Sequence, residues 1–202
     1  MIAICTARLG QFSSKRSRSP DVSAVGIIQA SGTFAFPEPS GKPGSHTRRT
    51  ITRRVTAVLV GDGPERARAE KHVASHGLGS RVTFTGRLAK GDIRRVFAQS
   101  DVYVQPSVKE SFGLAALEGR TAGLPVVART QTGTTEFVRD GVEGLLAGDD
   151  KGMAAAIVRL GRDRELLSRI MTHNRLTPPD EAWPTVLETV RAAYRHAGAP
   201  AT

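Results

Sequence analysis

Two glutamates stand eight positions apart in "KESFGLAALEG", Lys109 to Gly119, on either side of a short apolar run. If that run is helical, eight residues rise roughly 12 Å, which sets Glu110 at the N-terminal mouth and Glu118 about two turns further in. The first amides of a helix have no partner within it. The N–H groups of Phe112, Gly113 and Leu114, behind the polar loop Ser107–Ser111, therefore form a cradle for a diphosphate, with the helix dipole adding attraction and Gly113 allowing close approach. A carboxylate beside a phosphate is repelled, so Glu110 and Glu118 read as acceptors for sugar hydroxyls on either side of it. Each such charged bond is worth roughly 1.5–3 kcal/mol. The plainer alternative makes Glu118 a solvated helix residue, or a partner of Arg120 or Arg87.

Two further loops bear on the same chemistry. In "VLVGDGPER", Gly61 and Gly63 form a tight turn between a strand and a helix, where an α/β sheet brings backbone close to a ligand. It is no dinucleotide fingerprint, since the third glycine would fall at Arg66, and it lacks the Gly-Lys-Ser/Thr ending of a phosphate loop. In "RTQTGTTEF", Gly133 and Thr134 precede a short helix at the end of a strand, although a threonine cap explains Thr132 or Thr134 equally well. His72, His76, His173 and His196 have no metal-ligand spacing, and no Ser-His-Asp or paired-Cys arrangement is present.

The elements that must hold these loops follow from residue 56 onward. "TAVLV", "RVTFTG", "DVYVQP", "LPVVAR" and "EGLLAG" read as five strands, alternating with helical segments over "PERARAEKHVASHG", "KGDIRRVFAQS", "FGLAALEGRTAG", "GTTEFVRDG", "DDKGMAAAIVRLGRD" and "RELLSRIMTHN". That alternation predicts an α/β fold, a Rossmann-like parallel sheet flanked by helices. The ligand loops then share the carboxyl edge of the sheet. A last helix in "DEAWPTVLETVRAAYRHAG" carries Trp183, Leu187, Val190 and Tyr194 on one apolar stripe.

Charge sorts the remainder. The chain has 202 residues and a net charge of +10, and residues 1–54 hold nine Lys and Arg against Asp21 and Glu38. Rich in Ser, Pro, Gly and Arg with no sustained period, residues 1–54 read as a disordered basic tail, and residues 55–202 as the folded domain. "SSKRSRS" and "RRTITRR" allow non-specific attraction to nucleic acid, but no aromatic interleaving or reading motif accompanies them, so nucleic acid is not the expected partner. The single cysteine, Cys5, excludes an internal disulfide framework. With no signal-peptide pattern and no apolar run of membrane-spanning length, the expected compartment is the cytoplasm, with peripheral contact at the inner face of the membrane left open.

From about Val58 to Leu160 the chain resembles the C-terminal, donor-binding domain of GT-B glycosyltransferases of the large retaining group often called family four. "LVGDGPER", "VTFTGRL", "SDVYVQPSVKESFGLAALEGRTAGLPVVA", "TTEFVRDGVEGLLAGDD" and the terminal "W…Y" helix occur in the family's order and spacing. The resemblance implies that Glu110 contacts the donor sugar as the catalytic residue. It implies too that the amides of Ser111, Phe112, Gly113 and Leu114 hold the diphosphate, that Glu118 takes the ribose hydroxyls, and that the backbone at Arg87 and Leu88 meets the base. It implies a nucleotide-diphosphate-sugar donor, a retaining reaction without cofactor or metal, and an acceptor (glycan, lipid or small molecule) that these residues do not identify. The family's glycine pair before the late-loop Glu is reduced here to Gly133, followed by Thr134, Thr135 and Glu136. Its first βα unit, with an Arg and a Lys that neutralise the diphosphate, has no match in residues 1–54, and neither does its acceptor domain. The expectation is thus half of a GT-B fold lacking its first βα unit, able to self-associate through its C-terminal stripe. A nucleotide-sugar-binding module without turnover is the alternative, and a basic nucleic-acid-associated protein the third reading.

Overall fold

The computed structural model describes residues 4–10, 54–181 and 183–198. Six strands make one sheet: β1 Ile4–Gly10, β2 Arg54–Val60, β3 Val82–Gly86, β4 Val102–Gln105, β5 Val126–Arg129 and β6 Gly144–Ala147. Their order is β3-β2-β1-β4-β5-β6. Pairs β2–β3, β4–β5 and β5–β6 are parallel. Helices α1 Arg66–Ser75, α2 Lys90–Ala98, α3 Leu114–Thr121, α4 Asp150–Arg162, α5 Arg164–Leu176 and α6 Trp183–His196 follow the strands, with a 3-10 turn over Gly133–Glu136.

Strand β4 shows why this sheet is covered on both faces. Its successive side chains alternate, and all four are buried. Val102 and Val104 pack with Val127, Leu145, Ile157, Leu160, Leu167 and Ile170, under α4 and α5. Tyr103 points the other way, among Phe97, Ala115, Ala116, Leu124 and Val126, under α2 and α3. Runs that are apolar without alternation are what a doubly covered parallel sheet requires.

Within residues 1–54, expected as a disordered tail, Ile4–Gly10 forms a strand in the middle of the sheet, so the strands number six rather than the expected five and the sheet is mixed. β1 runs antiparallel to both neighbours, pairing Ile4 with Val60 and Gly10 with Arg54 on one side and Cys5 with Val104 on the other. The cause is the slot between β2 and β4. Left empty, it would expose two rows of unpaired N–H and C=O groups at the sheet's centre. The basic runs and the rest of the tail, residues 1–3 and 11–53, lie outside the described residues.

Candidate functional site

The strand order reverses direction of progress between β1 and β4, and open α/β sheets bind ligands outside their carboxyl ends at such a switch point. Two clusters of loops meet that edge. At the end of β2, the Gly61 amide donates to the Gly86 carbonyl at 2.8 Å and the Gly63 amide to Asp62 Oδ1 at 3.0 Å. Gly86 has φ +69, and a Cβ there would lie 3.1 Å from Arg66 Nη1. The predicted residues Gly61, Gly63, Arg87 and Leu88 therefore share one corner, Arg87 exposed and Leu88 packed on the core. Arg66 adjoins them, held by Glu70 Oε1 at 2.7 Å.

The second cluster stands over β4 and β5, and β1 alone separates β4 from β2, so the ends of those two strands are two spacings, or about 10 Å, apart. Gly113 precedes α3 with φ +93. A side chain there would be strained by that φ and would also meet Thr134 Oγ1 at 2.8 Å. Among the described residues the Phe112 and Leu114 amides donate to no protein group, whereas the Gly113 amide, predicted to face a diphosphate, donates to Glu110 Oε1 at 3.1 Å. The Phe112 ring packs against Phe137, centroids 5.4 Å apart. Ser111 is exposed. Gly133 clasps this loop: its amide donates to the Glu110 carbonyl at 3.0 Å, and its Cα lies so near Ser111 that a Cβ would fall 1.8 Å from the Ser111 carbonyl oxygen. Thr134 is fully buried, and its hydroxyl has no hydrogen-bond partner.

The two glutamates differ in state. Glu110 is half-buried, with Oε2 accepting from Gln105 Nε2 at 3.2 Å. Glu118 is exposed, one turn beyond the exposed Leu114, and makes no ion pair among the described residues. Arg120, offered as its partner, turns instead into the core, donating from Nη1 to the Phe137 carbonyl at 2.7 Å and standing 3.8 Å from Glu143.

Glu143 was not singled out in the sequence. It is 1% exposed, and it accepts from Arg139 Nη2 at 2.5 Å and bonds His173 Nε2 at 3.0 Å. Burial pushes its carboxyl up, but the Arg139 side chain and backbone, His173 and the charge on Arg120 outweigh burial and hold it at about 2. This hub braces the loop behind Gly133 from α3 and α5. Gln105 was missed too, although a glutamine ending an otherwise apolar strand was a readable signal. No group of three or more His, Cys, Asp or Glu able to hold a metal occurs among the described residues.

Residues 46–163 match the family model described as glycosyl transferases group 1. The chain belongs to that family. Among group 1 relatives it is 36% identical over 128 residues to D-inositol 3-phosphate glycosyltransferase of Mycobacterium marinum, covering 60% of this chain and 27% of that protein. It is also 36% identical over 149 residues to the lipopolysaccharide core biosynthesis glycosyltransferase LpsE of Rhizobium meliloti, covering 71% of this chain and 42% of that one. The structure of Anabaena Alr3699/HepE in complex with UDP superposes with a TM-score of 0.61 at 28% identity, over 71% of this chain and 41% of HepE. HepE is also solved with UDP-glucose. This group 1 chain thus spans less than half the length of these relatives, and the part it spans is a C-terminal domain of the GT-B fold.

Proposed function

We propose that residues 55–202 form the donor-binding half of a retaining glycosyltransferase that takes a nucleotide-diphosphate sugar. The carrying observation is the open amino end of α3, flanked by Glu110 and Glu118, at the switch point of the sheet. In this reading the Phe112 and Leu114 amides and the α3 dipole hold the diphosphate, Ser111 and Gly133 shape its seat, and Thr134 backs Gly113. Glu110 faces the sugar, Glu118 takes the ribose hydroxyls, and the base lies over Arg87 and Leu88 beside the Gly61–Gly63 turn. The ends of β2 and β4, two strand spacings or about 10 Å apart, are within the span of a nucleoside diphosphate. UDP and UDP-glucose complexes of HepE support the ligand class.

Charge on the leaving diphosphate is met by amides and dipole, without a metal or cofactor. Transfer needs an acceptor held against the donor, since orientation supplies much of the acceleration. The described residues supply one wall of such a cleft, so donor binding rather than transfer is the activity proposed for this chain alone. The acceptor, whether glycan, lipid or small molecule, belongs to the other wall. The apolar stripe of α6, with Trp183 and Tyr194 largely exposed, is the surface for that wall or for self-association. We place the chain in the cytoplasm, with peripheral contact at the inner face of the membrane left open. No described helix is long and apolar enough to cross a membrane.

Calorimetric titration with UDP, GDP and ADP, set beside duplex DNA at two salt concentrations, tests the reading. Saturable, salt-tolerant binding of one nucleoside diphosphate is expected. Salt-sensitive DNA binding alone would favour the basic-tail reading instead.

A further inference from the structure

We infer that Gln105 is a positioning residue that presents Glu110 to the donor sugar, with Tyr103 fixing the orientation of its amide. The inference rests on the proposed role of Glu110. Gln105 ends β4 and is 2% exposed. A primary amide buried to that extent needs partners for its donors and acceptor. Tyr103, two residues back and so on the same face of the strand, donates its hydroxyl proton to Gln105 Oε1 at 2.6 Å. Gln105 Nε2 donates to Glu110 Oε2 and to Ser107 Oγ, both at 3.2 Å. The reverse amide orientation would set a carbonyl oxygen against a carboxylate, so chemistry decides the assignment.

Glu110 is therefore held from two sides. Oε2 is tied to the strand through Gln105, and Oε1 to the turn before α3 through the Gly113 amide at 3.1 Å. Each oxygen keeps a lone pair for a ligand hydroxyl. Tyr103 is itself clamped, because a Cβ on Gly119 of α3 would lie 2.8 Å from its Cγ, and Phe97 meets its ring edge-on at 6.1 Å. The connections close on themselves: the middle of α3 seats Tyr103, Tyr103 orients Gln105, Gln105 aims Glu110, and Glu110 returns to the start of α3. A carboxylate that only solvated the mouth of a helix would need no buried relay. One that must meet a hydroxyl within a few tenths of an ångström gains from it.

The test compares UDP, GDP and ADP with their glucose conjugates by calorimetry on the full chain, reading the ratio of sugar-bearing to bare affinity for whichever base binds. Glu110→Ala should lower that ratio about tenfold, the worth of one charged hydrogen bond. Gln105→Met, close in volume, should lower it by a similar factor while bare-nucleotide affinity stays within about twofold. Tyr103→Phe, which keeps the ring, should shift it in the same direction, and adding Gln105→Met to Glu110→Ala should change nothing further. A lowered ratio in Glu110→Ala beside unchanged ratios in both Gln105→Met and Tyr103→Phe overturns the relay and leaves the role of Glu110 standing. If Gln105→Met does not fold, Tyr103→Phe decides alone. An unchanged ratio in Glu110→Ala, or a wild type that binds none of the probes, refutes the reading of Glu110 and the relay with it.

Discussion

Replacing Gly133 by alanine adds one methyl group where the loop after β5 touches the loop before α3. The new Cβ would lie 1.8 Å from the Ser111 carbonyl oxygen, 2.5 Å from its carbonyl carbon and 2.9 Å from Phe112 Cα. All three are backbone atoms, so no rotamer change relieves the contact. Restoring an ordinary van der Waals distance of about 3.4 Å requires the loops to part by roughly 1.5 Å, which breaks the 3.0 Å bond from the Gly133 amide to the Glu110 carbonyl. Overpacking of this kind costs about 1–3 kcal/mol and the lost bond about 1 kcal/mol. We expect Gly133→Ala to lower stability by about 2–4 kcal/mol in denaturant unfolding. Nucleoside diphosphate affinity should fall at least tenfold in calorimetry, because the Phe112 and Leu114 amides move with the loop. A variant with wild-type stability and affinity would show that the clasp does not set the seat of the diphosphate.

Three further outcomes can be checked. Glu118→Ala should weaken nucleoside diphosphate binding about tenfold without changing the thermal midpoint, since an exposed carboxylate is removed and no core is emptied; equal affinities in calorimetry would contradict its assignment to the ribose. The Glu143 carboxyl titrates lower in the folded chain, at about 2 against an ordinary 4.5, so its stabilising effect is complete above about 4.5 and disappears as pH falls toward 2. That difference is worth roughly 3 kcal/mol, and Glu143→Gln should flatten the fall of the melting temperature across the same window; parallel curves for variant and wild type would rule this out. Trp183→Ser on α6 should reduce any self-association seen by light scattering, whereas unchanged association would place the contact elsewhere.

Much of the fold was legible because local patterns and tertiary demands agree after residue 55. The doubly apolar strands, the Pro64 and Gly77 boundaries of the first helix and the glycine-opened helix at α3 each state their role within ten residues. Strand β1 did not. "ICTARLG" has no pattern that separates it from the polar stretch behind it, and its strand form answers a vacancy created by segments more than forty residues away. The glutamates were legible by spacing, while their difference in state was not: Glu110 is tied down by Gln105 and Gly113, and Glu118 is left to solvent. Arg120 was misread for a related reason. Its partners, Phe137 and Glu143, are remote in sequence, and sequence proximity suggested Glu118.

The direction of β1 also decides where its connection to β2 is attached. A parallel first strand would deliver the following residues to the ligand edge and need a crossover to return. Here Gly10 pairs with Arg54 at the opposite end of the sheet, so the chain leaves β1 and enters β2 away from the proposed donor seat. The ends of that connection are already neighbours, and lengthening a closed loop costs only about 0.6 kcal/mol per doubling. An insertion made next to Gly10 or Arg54 therefore enters the fold at the edge opposite the carboxyl ends of β2, β4 and β5, a different edge from the one that carries the chemistry proposed for Glu110 and Glu118.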